Sequence, residues 1–260
     1  MAQTIDKQAV ADSFSRAASH YDHFAQLQRD IGEQLLSQVN VSSPTTVVDL
    51  GCGTGYFSEK LHAYFPKSEL TCFDLSPAML NQTKQRELNN AHFQQGDIDQ
   101  LPFAENCVDV IYSNLVIQWS DDFWDCLQQI KNSLKVGAKA YLSTLLIGTL
   151  DELTQAWKSV DDNPHTNLFL SLKEIETCLK QIGFSDQKLK TETRILAYKN
   201  VVEVMRALKG IGANHVHGHQ PTHLSGKKLL QQLEAGYQPF KNEQGLLNLT
   251  YQVCYIEVTK

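Results

Sequence analysis

The sequence predicts an α/β chain of the doubly wound type, on three observations. Short apolar runs rich in β-branched residues alternate with amphipathic stretches over 46–146, a glycine-rich turn follows the first run, and acids stand at the ends of the first three. Strands alternating with helices imply a mostly parallel sheet covered on both faces.

The elements follow in order. Positions 7–39 form a helical stretch with no strand before it, so it must pack outside the sheet or across its top. "TTVVDL", "ELTCFDL", "AHFQQGD", "VDVIYSNL" and "AKAYLSTLL" read as strands. Between them "YFSEKLHAYFP", "SPAMLNQTKQRELN" and "FWDCLQQIKNSLKVG" carry apolar residues at helical spacing. Ser76 and Pro77 suit an N-cap and first helical position, and Gly137 suits a helix stop. Later, "TLDELTQAWKSVDD" and "SLKEIETCLKQIGF" read as helices, the second ending at Gly183, and "QKLKTETRILAY" as a strand. Two helical pieces, 201–210 and 225–235, precede a last strand, "LNLTYQVCYIEVTK", whose alternation predicts a half-exposed position. No repeat, low-complexity tract or linker divides the chain, so one domain over 1–260 is expected.

At 260 residues and 42% hydrophobic, the chain can bury a full core. A net charge of -6 argues against general nucleic-acid or membrane-surface binding. No apolar run approaches the roughly 18 residues of a membrane helix, and the first residues lack a signal-peptide pattern, which predicts a cytoplasmic protein. The six cysteines form no C-x-x-C pair and read as reduced, mostly buried thiols.

"VVDLGCGTGYFSEKL" runs a strand into Asp49, turns on Gly51, Gly53 and Gly55, and opens a helix. Glycines at this spacing let a ligand approach the backbone, beside the unpaired N–H groups of a helix N-terminus. Asp74 ends the next strand, where doubly wound folds place a carboxylate for ribose hydroxyls. The pattern is G-C-G-T-G rather than G-x-G-x-x-G, and Asp49 would face the amino end of an amino-acid moiety, which points to S-adenosylmethionine rather than NAD. Asp97 and Ile98 in "GDIDQLPF" suit an adenine, the carboxylate accepting and the backbone N–H donating. "DVIYSNLVIQW" brings Asn114, Leu115, Gln118 and Trp119 to the crevice at the strand ends. Any one of these acids alone is equally a loop carboxylate.

Together "VDLGCGTG", "DLSPAML", "GDIDQLPF" and "DVIYSNLVIQW" resemble the class I S-adenosylmethionine-dependent methyltransferases, with a Rossmann-like doubly wound sheet. The resemblance adds Cys52, Leu75 and Met79 to the cofactor residues. "KQAVADSFSRAASHYDHFAQLQR", "GTLDELTQAWKSVDDNPHTNLFLSLKEI" and "LKGIGANHVH" resemble, more narrowly, the malonyl-acyl carrier protein O-methyltransferases of biotin synthesis over nearly the whole chain. That family implies a helical cap at 1–40, a cofactor core at 46–146, helical insertions with a substrate lid at 147–245 and an antiparallel C-terminal strand at 246–260. The implied reaction methylates the free carboxylate of a malonyl thioester on acyl carrier protein.

A carboxylate nucleophile is ionised at neutral pH and needs no general base, so positioning and desolvation must supply the catalysis. Tyr21 and Lys209 are expected to fix the malonyl carboxylate, and Gln118 and Trp119 to wall the transfer site. Arg16 and Arg29 suit either the cofactor carboxylate or the surface. Arg206, Lys209, Lys227 and Lys228, with Lys199 just before them, form either a docking patch for an acidic carrier protein or a solvated face. In "ALKGIGANHVHGHQPTH", 208–217 is expected to close over the malonyl group, with His215 among the substrate contacts, and 218–223 to connect to the next helix. No metal is expected. The rival readings are a methyltransferase of a small-molecule or quinone acceptor and a non-catalytic binding protein.

Overall fold

The computed structural model describes residues 6–213 and 226–260. The alternating runs become β1 (Thr46–Leu50), β2 (Glu69–Asp74), β3 (Ala91–Gln95), β4 (Val108–Asn114) and β5 (Leu134–Leu145), and the later chain adds β6 (Asp186–Tyr198) and β7 (Leu247–Thr259). They form one sheet in the order β3-β2-β1-β4-β5-β7-β6. The first five run parallel, and β7 pairs antiparallel with both of its neighbours. The order reverses between β1 and β4, and the crevice beyond the carboxyl ends of those strands is where such sheets bind ligands.

Central strands here are buried on both faces. Val47 joins the core shared with α3 (Gln26–Leu36) and α4 (Tyr56–Tyr64), whereas Val48 and Leu50 join the core beneath α6 (Phe123–Ser133) and α8 (Leu172–Ile182). Each such side chain contributes about 1.5–3 kcal/mol on leaving water. Helix ends follow local chemistry: Ser76 caps α5 (Pro77–Lys84), and α8 has a Ser171–Glu174 capping box and stops on Gly183 at φ 75°.

Three expectations need correction. The opening helix is three helices, α1 (Lys7–Ala17), α2 (Tyr21–Phe24) and α3, with no proline or glycine between the first and third. Packing sets the break: α1 lies on α5, α3 crosses β4 and β5, and α2 meets α9 (Val201–Gly210). Gly137 is not a helix stop. Helix α6 ends at Ser133, whose hydroxyl donates to Gln129 O at 2.8 Å, and the chain turns straight into β5 at Leu134. Gly137 instead lies inside β5 at φ 79°, next to a register shift against β4. Finally, β7 is not half-exposed along its length. Its alternation holds over 247–252, but 253–258 are buried throughout, because β7 lies between β5 and β6 and the alternating edge strand is β6.

The amino end of β1 is held by one carboxylate. Asp109 accepts from the backbone N–H groups of Thr45 and Thr46 at 2.9 and 3.0 Å, from both threonine hydroxyls, and from Lys135 at 2.8 Å. Burial pushes its pKa up, but the Lys135 and threonine hydrogen bonds outweigh this and hold it well below the usual carboxylate range. A depressed acid stabilises the fold above its unfolded pKa of about 4 and loses that contribution as pH falls. Asp109→Asn should therefore cost about 1–3 kcal/mol at pH 7. Urea titrations should show the gap to wild type closing as pH drops below about 4.

Candidate active site

The carboxyl ends of β1, β2 and β4 meet at the crevice. After β1 the chain turns on Gly51, Gly53 and Gly55, all at positive φ (77°, 56° and 81°). A Cβ on Gly51 would stand 2.2 Å from Val116 Cγ2, and one on Gly55 would stand 2.6 Å from Thr83 Cγ2. A Cβ on Gly53 would meet nothing within 4 Å, so this is where the turn leaves its backbone open to a ligand. Asp74 accepts from Gly53 N–H and Ser76 N–H, each at 2.8 Å, joining the β1 turn to the β2 turn. Burial raises Asp74 to about 6, against the pull of those two hydrogen bonds.

A narrow cavity of about 90 Å³ lies over this turn, beneath α1. Its walls include Gly51, Gly53, Asp74, Leu75, Met79, Asp97, Ile98 and Leu115, all expected from the sequence. The other four cofactor candidates lie behind the wall. Asp49 is 2% exposed and accepts from Ser58 Oγ at 2.5 Å. Burial, with a further push from Asp74, raises it to about 7 despite that bond. Cys52 is buried, and Gly55 caps α4. Asn114 donates to Gln28 O at 2.9 Å and accepts from Ser143 Oγ at 2.8 Å, which ties α3 to the sheet rather than presenting an amide to the cavity.

Lys7, which sequence reasoning missed, closes one end. Its ammonium donates to Asp97 at 2.9 Å and to Trp119 O at 2.8 Å, and pairs with Asp99 at 2.6 Å. Val10, Ala11 and Phe14 of α1 complete the cover. A helical period without charge partners in sequence gave no signal for this.

A second cavity of about 310 Å³ adjoins the first, sharing Phe14, Tyr21, Leu115 and Trp119 with it. Tyr21 is thus at the junction. Burial first, then the charges of Asp74 and Asp22, push its phenol far up, so it remains a neutral hydrogen-bond donor. Leu115 adopts φ 56°, held by its N–H to Ser143 Oγ at 2.9 Å, a strained conformation of the kind that collects at functional sites. Gln118 lines the second cavity and donates to Leu115 O at 2.8 Å. The remaining wall is largely apolar, with Met205, Leu208 and Ile211 from α9 and its end, Leu153 and Trp157 from α7 (Asp151–Trp157), and the 165–169 segment.

Lys209 is not brought to either cavity; it is exposed on the last turn of α9, as is Arg206 one turn earlier. Lys227 and Lys228 are exposed at the start of α10 (Gly226–Tyr237). Arg29 donates to Asp22 O and Gln26 Oε1, and Arg16 is exposed. His215 and the rest of the histidine-rich stretch lie outside the described residues.

The sheet order, with the glycine turn at its switch point tied to Asp74, is that of the class I methyltransferase fold. A methyltransferase-domain family model matches residues 48–142. The crystal structure of a proposed methyltransferase of Bacillus halodurans superposes with a TM-score of 0.63 at 15% identity, covering 88% of this chain and 97% of that one. Malonyl-[acyl-carrier protein] O-methyltransferase of Serratia marcescens is 40% identical over 97% of this chain and 95% of its own length. The Hahella chejuensis enzyme of the same name is 35% identical over 96% and 89%. The chain belongs to the malonyl-[acyl-carrier protein] O-methyltransferase family.

The glycine geometry separates two roles. Gly51→Ala meets both positive φ and the Val116 side chain, and should lower stability by more than about 2 kcal/mol. Gly53→Ala meets only the backbone term, about 1 kcal/mol. Thermal melts of the two variants should differ in that order, and equal melting would contradict the assignment.

Proposed function

We infer that the protein transfers the methyl group of S-adenosylmethionine to the free carboxylate of the malonyl group on malonyl-acyl carrier protein, giving the methyl ester used in biotin synthesis. The observation that carries this is the wall shared by the two cavities. It sets the small cavity over the glycine turn and a larger, mostly apolar cavity against each other across Phe14, Tyr21, Leu115 and Trp119, which supports a cofactor site beside an acceptor site.

The residues present fit the cofactor. Asp74 suits vicinal ribose hydroxyls, Asp97 with the backbone at Ile98 suits an adenine edge, and Gly53 leaves room for close approach. When bound, the cofactor supplies an electrophilic methyl group on a sulfonium. The chain's part is to exclude water and hold one carboxylate oxygen in line with that methyl. Asp49, beneath the turn, supports the loop rather than the ligand.

We read 6–40 as a cap over the cofactor and 147–213 with 226–245 as the cover of the acceptor cavity, a stretch that also contributes β6 to the sheet. Exposed Arg206, Lys209, Lys227 and Lys228 are our candidates for docking an acidic carrier. All six cysteines are free thiols, in keeping with a cytoplasmic setting, and no helix among the described residues is long and apolar enough to cross a membrane.

Incubation with labelled S-adenosylmethionine and malonyl-acyl carrier protein should yield a base-labile methyl ester on the carrier by mass spectrometry. Methylation of free malonate alone would instead make this a small-acid methyltransferase. For the cofactor site, Asp74→Asn should weaken S-adenosylhomocysteine binding at least tenfold by calorimetry. Wild-type affinity should fall below about pH 6, as Asp74 takes up its proton, and the variant should be flat across that range.

A further inference from the structure

On the functional reading above, the acceptor cavity must take an anion. Among the described residues that line it there is no lysine, arginine, aspartate or glutamate, and the Nε2 of His165 is already held by Asp161 at 2.7 Å. Recognition of the charge therefore falls to neutral polar groups. Two glutamines stand in the wall, and they differ in what they are bonded to. Gln118 is engaged at both ends of its carboxamide: Nε2 donates to Leu115 O at 2.8 Å, and Oε1 accepts from Thr144 Oγ1 at 3.4 Å. Gln28 is not. Its Oε1 is closed off from solvent with no hydrogen-bond partner among the described residues, and its Nε2 has no acceptor among them either. With the oxygen shut in, the N–H groups are the end of the carboxamide left to the cavity.

The backbone places Gln28 near the transfer end. It lies in the first turn of α3, and its carbonyl accepts from Asn114 Nδ2 at 2.9 Å. Asn114 ends β4, and the next residue, Leu115, lines both cavities. Gln28 is thus tied one residue away from the wall across which the methyl group must pass. A buried amide oxygen without a partner costs stability. A ligand bond at the other end of the same amide accounts for its presence here.

We propose that Gln28 recognises the free carboxylate of the acceptor, its Nε2–H donating to the oxygen that does not attack the methyl group, and so makes the cavity selective for an anionic acyl group. This rests on the functional reading above and gives a neutral amide the role that the sequence had suggested for Lys209.

The chemistry favours a neutral donor. One carboxylate oxygen forms a bond to the methyl carbon while the carbon–sulfur bond breaks and its electron pair stays on sulfur. Carboxylate and sulfonium both become neutral, and no proton moves. A cation on the attacking oxygen would hold the ground state more tightly than the transition state and slow the reaction. An amide on the other oxygen orients the group and leaves the attacking lone pair free. The Tyr21 phenol at the same junction is likewise an uncharged donor.

The test uses the full chain with S-adenosylhomocysteine bound, and compares calorimetric affinity for malonyl- and acetyl-loaded acyl carrier protein. Wild type should prefer the malonyl form by about tenfold to a hundredfold, the range of a hydrogen bond to a charged group. In Gln28→Met, which keeps the length of the side chain and removes its N–H groups, that ratio should approach one, while S-adenosylhomocysteine affinity stays within about twofold. The melting temperature should hold or rise, because the unmet oxygen is removed as well. In turnover, KM for the malonyl carrier should rise more than kcat falls. Gln28→Leu should behave in the same way and serves if the methionine variant does not fold. A wild type without the malonyl preference, a folded variant that keeps it, or a ratio that falls only together with S-adenosylhomocysteine affinity overturns the proposal. Wild type that binds S-adenosylhomocysteine but methylates no malonyl carrier would sink the functional reading instead.

Discussion

Everything at the crevice depends on one half-buried carboxylate that is tied to the backbone. Asp74 accepts from Gly53 and Ser76 N–H, so the turn leaving β1 and the turn leaving β2 are fixed to each other before any ligand arrives. The glycines are free to adopt positive φ, and such freedom is costly to order. The two hydrogen bonds select one conformation of the loop, and Thr83 Oγ1 reinforces it by donating to Gly53 O at 2.8 Å. Desolvation of Asp74 opposes this arrangement, and the two hydrogen bonds repay part of that cost.

The cover over that loop is attached differently. Helix α1 is held at one end by Lys7 on Asp97 and Asp99, near its middle by Phe14, edge-on to Trp119 at 5.5 Å, and beside it by Ser15 Oγ, 2.8 Å from Ser76 Oγ. A cavity of about 90 Å³ is below the roughly 300 Å³ at which small-molecule pockets begin. These polar and ring contacts of α1 are two part-exposed ion pairs with a hydrogen bond from the same ammonium to Trp119 O, one ring contact and one hydroxyl pair, each modest in water.

Much of this was legible in the sequence, and the reasons differ by element. The parallel half of the sheet follows from strand and helix periodicity, and the glycine turn with Asp74 from local geometry that leaves few alternatives. Asp97, Leu115 and Trp119 line the cavities because strand ends in this architecture converge. What escaped was tertiary. Nothing at Lys7 marks it as the partner of acids some 90 positions away. Lys209 suggested a clamp by its charge, but the face it occupies is set by how α9 packs, with Leu208 inward and Lys209 outward. Gly137 misled because a glycine after an amphipathic run suits a helix end and a bulged strand equally well.

The sheet order has a bearing on how the chain is made. Strand β6 finds its only sheet neighbour among the described residues in β7, which lies between it and β5. A ribosome therefore delivers residues 186–198 well before 247–259, the segment that joins them to the rest. During that interval a strand of alternating exposure waits with both edges open, a template for unwanted pairing. Its exposed positions include Asp186, Lys188 and Lys190, and charges of this kind keep such a waiting edge from joining another chain.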